Sequence, residues 1–221
     1  MGKRQTILEA RFPGTADFAV MAAAWSADAV DEMLIFVWAA YDLLRAQLLA
    51  RIDLTLADKD VERSITMSLE PRIRDEMSGD EPFFVQHERF EHETMLAPPA
   101  QPPQYDIAFV WRANERVMWP LEAKVLRNDS AVSAYVADVK NEFLTCRYAP
   151  FVESGAMIGY LVSGSTASAF ANIGTSLKCK LTTYRPFARR DHKVSDHTRH
   201  VPARRAYPAR FRCHHLLMPM H

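Results

Sequence analysis

Cysteine is scarce, with three residues in 221, at positions 146, 179 and 213. They are too few and too dispersed for a disulfide framework, and none shows the two-residue spacing of a zinc module. A reducing cytoplasm is the setting this implies. No glycine-rich phosphate cradle occurs, so nucleotide hydrolysis on a P-loop has no support. The first eighteen residues carry basic side chains without an apolar stretch behind them, and they do not read as a secretory signal. Long apolar runs are also lacking. The best one, 18–40, is interrupted by Asp28, Asp31 and Glu32, and a charged side chain at mid-bilayer costs about 2.5 kcal/mol or more. A membrane span is therefore not expected. There is no internal repeat.

Net charge is missing as well, because 27 Lys and Arg balance 27 Asp and Glu. That rules out a global basic excess of the kind that advertises nucleic acid, and an acidic excess of the kind that favours disorder. The zero nevertheless hides a gradient. Residues 1–176 hold 25 acidic and 16 basic side chains, whereas 177–221 hold 11 basic ones against Asp191 and Asp196. The chain is an acidic body followed by a basic segment. The 48% hydrophobic and 24% charged content suits a chain that buries one good core.

Residues 16–52 read as helix: glycine and proline are absent, and Leu34, Val37, Tyr41, Leu44 and Leu48 recur at steps of three and four. A second helix is predicted over about 58–77, with Asp58 or Asp60 as N-cap, Ile65, Leu69 and Ile73 on one face, and Pro71 as a potential kink. After Gly79 the period changes. Strands are predicted at 83–90, 104–112 and 116–126, the first two separated by a proline-rich connector at 98–103. A helix over about 130–148, a strand at 156–163, a helix over about 165–181 and a last strand at 211–218 follow. The stretch 184–208, rich in Arg, His and Pro, reads as loop. This order is that of a mixed α/β single domain.

The informative stretch is 102–126. If 104–112 and 116–126 form an antiparallel hairpin centred on Asn114, Ile107 faces Leu121, Phe109 faces Trp119 and Trp111 faces Val117, so every pair is apolar. The same register sets Asp106 opposite Glu122, which shares its face with Lys124. Two carboxylates on the order of 5 Å apart repel unless a cation lies between them. Hard oxygen ligands without cysteine or a nearby histidine favour Mg²⁺ or Mn²⁺, and the carbonyl of Ala123 could add a ligand. Lys124 beside the metal could hold or deprotonate a water, or neutralise charge growing on a phosphate. That is a phosphodiesterase site in outline.

Asp106, followed after fifteen residues by Glu122-Ala123-Lys124 on an apolar strand, resembles the PD-(D/E)xK nuclease superfamily over roughly residues 58–181. The resemblance implies an α/β restriction-endonuclease-like fold, with an αβββαβ core (58–181), a mixed sheet, an N-terminal helical elaboration (1–57) and a basic C-terminal segment (182–221) within one domain. It implies Mg²⁺ or Mn²⁺ as cofactor and DNA as substrate, with roles in bacterial or phage defence, restriction or repair. It also implies a glutamate from the helix before the first strand, for which Glu62 is the candidate; Glu70 and Glu76 are crowded by Pro71 and Gly79. Tyr105 stands where the family name has proline. A second acidic-x-Lys, Asp138-Val139-Lys140, lies in a predicted helix, where positions two apart diverge.

Six histidines follow residue 190, but their spacings match no zinc module, and exposed or phosphate-facing positions are expected of them. Cys213 reads as a buried structural thiol. The basic segment has a functional reading as a DNA-backbone surface, carried by Arg185, Arg189, Arg190, Arg199, Arg204 and Arg205 among aromatic residues. The N-terminal helices are expected to pack into the core or against a second copy or partner subunit. The rival to a nuclease is a non-catalytic interaction or nucleic-acid-binding module that keeps the same fold.

Overall fold

The computed structural model describes Trp25, residues 27–94 and residues 102–221. Helix α1 spans Ala27–Gln47, and its buried stripe includes Leu34, Val37, Tyr41 and Leu44, as the spacing predicts. Leu48 lies beyond the helix and is only half-buried. The part of the predicted 16–52 helix before Trp25, and most of the proline-rich connector, fall outside the described residues. Helix α2 spans Asp58–Glu76 and runs through Pro71 without stopping. Its N-cap is Ala57, with no side-chain cap; Asp58 and Asp60 sit in the first turn instead, where the helix dipole favours negative charge.

Three antiparallel strands follow: β1 (Phe83–Phe90), β2 (Gln104–Trp111) and β3 (Met118–Leu126). The β2–β3 partners are Ile107 with Leu121, Ala108 with Pro120, Phe109 with Trp119 and Val110 with Met118. This is the register centred on Asn114, and all these residues are buried. Pro120 lies just before the β3–β4 pairing, which begins at Leu121 with Ala156, so it interrupts no pair on that side. A short helix, α3 (Ser133–Asp138), passes directly into a π-helical turn at Val139–Phe143, marked by the bond from Leu144 N–H to the Val139 carbonyl at 3.0 Å. The predicted helix over 130–148 is thus shorter and irregular. Strand β4 (Ser154–Leu161) then pairs with β3 in parallel. Helix α4 spans Thr166–Leu177, with the Ser165 side chain capping its N-terminus and Lys178 in the left-handed region at φ 56°.

The basic segment departs most from expectation. Residues 184–208 are not all loop. They include the 3₁₀ turn Arg185–Phe187 and strand β6 (His192–Thr198), and the two-residue β5 (Thr182–Thr183) precedes them. Strand β7 (Arg210–Pro219) lies parallel to β4 and antiparallel to β6, so the seven-stranded mixed sheet has the order β1-β2-β3-β4-β7-β6-β5. β6 alternates polar side chains and forms because its inward histidine and serine find partners at the sheet, which a reading of apolar periodicity does not register. Among the described residues no helix is long and apolar enough to cross a membrane.

Candidate active site

Backbone pairing of β2 and β3 ends at Ile107 and Leu121. One residue further, the Asp106 side chain takes over: Oδ2 accepts the Ala123 N–H at 2.7 Å. The charge of Asp106 bears on the Glu122 carboxyl, so the two acids are neighbours just beyond the last backbone pair. Glu122 is buried. Burial pushes its carboxyl well above the ordinary range, and the charge of Asp106 pushes it further. Burial raises Asp106 too, against the pull of Lys124.

Lys124 gathers the rest. Its Nζ donates to the Ala123 carbonyl at 2.7 Å, to Glu122 Oε1 at 2.9 Å and to Glu62 Oε1 at 3.4 Å. Asp138 Oδ2 lies 3.1 Å away as an ion pair that lacks the alignment of a hydrogen bond. Burial alone would lower the pKa of this ammonium, but Glu122, Asp106, Glu62 and Asp138 together outweigh it and hold the pKa above the ordinary value. Lys124 therefore stays charged, and of its expected roles the geometry favours orienting water and stabilising charge over deprotonating. Glu62 reaches the site from α2, and burial raises its carboxyl to about 7 against the opposing charge of Lys124.

The four residues expected at the site, Asp106, Glu122, Lys124 and Glu62, thus stand together. Asp138 joins them through its ion pair with Lys124, whereas Lys140 bonds the Ser176 carbonyl, so the two members of the second acidic-x-Lys pattern diverge as expected. A π-helical turn starting immediately after it widens the helix, and such turns recur at functional sites. The acidic-x-Lys pattern flagged Asp138, but nothing in the residues 139–143 announces a π turn. Glu142 and Tyr148 complete the surroundings: the Tyr148 hydroxyl is pushed up by burial and then by Glu122, Glu142, Asp106 and Asp138, and it donates to the Gln104 carbonyl at 2.6 Å.

Hard oxygens make up the donor set, and Glu122 Oε2 is buried with no hydrogen-bond partner. An unsatisfied buried charged group is costly, about 1–3 kcal/mol or more, and a divalent ion would satisfy it. The donor chemistry fits Mg²⁺ or Mn²⁺. As arranged, however, the ammonium of Lys124 sits on the Glu122 and Ala123 oxygens, and among the described residues no group of three or more His, Cys, Asp or Glu is set to hold a metal ion.

The arginines of the basic segment divide. Arg185, Arg189 and Arg204 are exposed. Arg190 pairs with Asp42 and Arg205 with Glu93. Arg199 corrects its expectation: it is buried at 4% exposure, and its guanidinium donates to the carbonyls of Phe143, Tyr148, Ala149 and Val152. It clamps the loop after the π turn and cannot reach a phosphate. The histidines are likewise more buried than expected: His192, His214 and His215 lie in the sheet. Cys213 is buried in β7, as predicted.

Comparison of the chain with protein-family models, curated proteins and solved structures finds no match.

Proposed function

We propose that this protein is a metal-dependent nuclease, hydrolysing phosphodiester bonds in DNA on a restriction-endonuclease-like core. The observation that carries the reading is the meeting of Asp106 and Glu122 at the end of the β2–β3 pairing, with Lys124 in contact with Glu122 and Glu62. The order α2, β1, β2, β3, α3, β4 supports it, being the αβββαβ sequence of elements that the superfamily resemblance implies. Asp106, Glu122 and the Ala123 carbonyl would hold Mg²⁺ or Mn²⁺, which supplies Lewis-acid stabilisation of charge on the phosphate. Lys124, fully protonated, offers its N–H groups to a water or to a phosphate oxygen. Glu62 completes the shell from α2. The exposed Arg185, Arg189 and Arg204 suit backbone phosphates.

Plasmid and oligonucleotide cleavage assays test this directly. Cleavage is expected with Mg²⁺ or Mn²⁺ and lost in EDTA, in Asp106→Ala and in Lys124→Ala. Activity surviving both substitutions overturns the proposal.

A second reading has its own observation, the seat of Lys124 on the very oxygens a metal needs. On that reading Lys124 is a permanent counter-ion, and the protein is a non-catalytic interaction or nucleic-acid-binding module. It predicts no cleavage and a melting temperature indifferent to Mn²⁺.

A further inference from the structure

The sheet face turned away from the acidic pair carries a second polar site. Successive strand residues point to opposite faces. Glu122 pairs with Met157 and Met157 with His215 in parallel register, so the side chain of His214 lies on the other face, where it meets the Trp119 ring at 6.0 Å. On that side a cleft of about 620 Å³ opens between the start of α1 and the sheet, a size common to small-ligand sites. Its floor is one register row across three strands, Ser154 of β4, Arg212 of β7 and Asp196 of β6, and His214 is the next β7 residue on the same face. Rings form the walls. Trp25 is fixed against Phe83 and Trp111 at 5.7 and 5.0 Å between centroids, and Tyr184 is fixed by the bond from its hydroxyl to Asp31 at 2.7 Å.

The fold also sets the donors in this cleft. An indole N–H can only donate. Trp38 gives its proton to His192 Nδ1 at 3.4 Å, so His192 carries its own on Nε2 and gives it to His214 Nδ1 at 3.1 Å. Burial keeps His214 neutral by holding its pKa well below the ordinary value, and its one proton is therefore on Nε2. Among the described residues nothing accepts that proton, and Nε2 is not sealed in the core as an unpartnered atom, so it opens onto the cleft that His214 lines. Ser154 Oγ accepts from the Trp119 indole at 2.9 Å, and among the described residues nothing takes its own hydroxyl proton. The charged groups around the cleft balance, Arg210 and Arg212 against Glu153 and Asp196, with Arg212 and Asp196 paired at 2.8 Å. Ordered donors, ring walls and no net charge suit a flat, uncharged heterocycle with carbonyl oxygens on its edge. We infer that this cleft binds an oxopyrimidine or oxopurine base, whose carbonyls take the His214 and Ser154 protons while its ring lies against Tyr184 and Trp25. The site is separate from the acidic pair and needs no metal.

Such a base can belong to a free nucleoside or to a single strand, and titrations in EDTA into the full-length chain separate the two. Uridine, guanosine and a short single strand of deoxyuridines are the base-bearing probes, benzoate is the anionic one, and the Nε2–H signal of His214 is followed by NMR. At least one base-bearing probe should bind saturably and shift that signal. His214→Phe keeps a ring but removes the donor, and should weaken binding about tenfold, the scale of one lost hydrogen bond. Ser154→Ala should weaken it several-fold. Phenyl riboside, which has no ring carbonyl, should bind wild type more weakly than uridine does, and this comparison carries the test if thermal melts show that His214→Phe fails to fold. Binding of the nucleosides alone makes the ligand a free metabolite, and binding of the strand alone makes it a nucleic acid; either supports the assignment. It is overturned if no base-bearing probe binds saturably, if phenyl riboside binds as well as uridine, if a folded His214→Phe binds undiminished, or if benzoate is preferred.

Discussion

The acidic cluster on β2 and β3 and the histidine cluster on β6 and β7 are both buried polar groups in one sheet, yet they are satisfied differently. Among the histidines every exchange is between neutral groups. The Trp38 indole N–H donates to His192 Nδ1 at 3.4 Å, which leaves the His192 proton on Nε2 to face His214 Nδ1 at 3.1 Å. His215 has the Tyr135 hydroxyl at 2.9 Å on one nitrogen and Ser195 Oγ at 2.7 Å on the other. Burial holds His192 and His215 down to about 3, so both are neutral at physiological pH. Around Lys124 the groups are charged, several acids are pushed upward by burial, and Glu122 Oε2 has no partner. A buried polar network that closes on itself holds a fold together. One that is left open keeps a cost that a water or a bound cation would relieve.

That contrast can be broken. Asp106→Ala should reduce cleavage by about a thousandfold, the scale expected when a group that stabilises transition-state charge is removed, whereas His215→Ala should leave cleavage per folded molecule within about threefold. Equal losses would make the two clusters one functional unit. In stability the order reverses. His215→Ala opens a cavity and takes one partner from each of the Tyr135 and Ser195 hydroxyls, which keep the Met157 carbonyl and His197 Nε2, and should cost about 2–4 kcal/mol in denaturant unfolding.

Smaller, and dependent on pH, is Glu91. It is fully buried, accepts from the Tyr105 hydroxyl at 2.7 Å, and is raised by burial from 4.5 to about 7. A carboxyl raised on folding favours the native state below its unfolded pKa, and that advantage is lost as pH rises from 4.5 through 7. Glu91→Gln should therefore become more stable relative to wild type between pH 5 and 8, by on the order of 2 kcal/mol, measured by parallel melts. The smallest effect belongs to the exposed Asp196–Arg212 pair, 2.8 Å apart. Asp196→Ala should change stability by less than about 1 kcal/mol.

Much of the site was legible because strand periodicity and a hairpin centre are local properties. Once Asn114 is placed at the turn, the apolar pairs and the meeting of Asp106 with Glu122 follow together, and Glu62 needs only a helix before β1. What escaped the sequence was chemistry that changes on burial. The inward side chains of β6 include histidine and serine, which read as polar in a sequence and behave as neutral, packable groups once they bond one another. Arg199 reads as a phosphate contact and instead spends its N–H groups on four backbone carbonyls. Asp138 gives no sign of its place because its partner, Lys124, lies on a distant strand, while Lys140, its neighbour in the pattern, turns to the Ser176 carbonyl.

The position of β7 has a consequence for the order in which the molecule is made. It lies between β4 and β6, inside the sheet, although it is the last strand in the chain. The β1–β3 meander, with its acidic pair, is built from contacts local in sequence and can form early during synthesis. Until residues 210–219 emerge, β6 has only the two-residue β5 to pair with, and β4 presents an unpaired edge. A chain truncated before β7 is therefore expected to keep its acidic pair in register on β2 and β3 while the outer edge of β4 stays open to wrong partners.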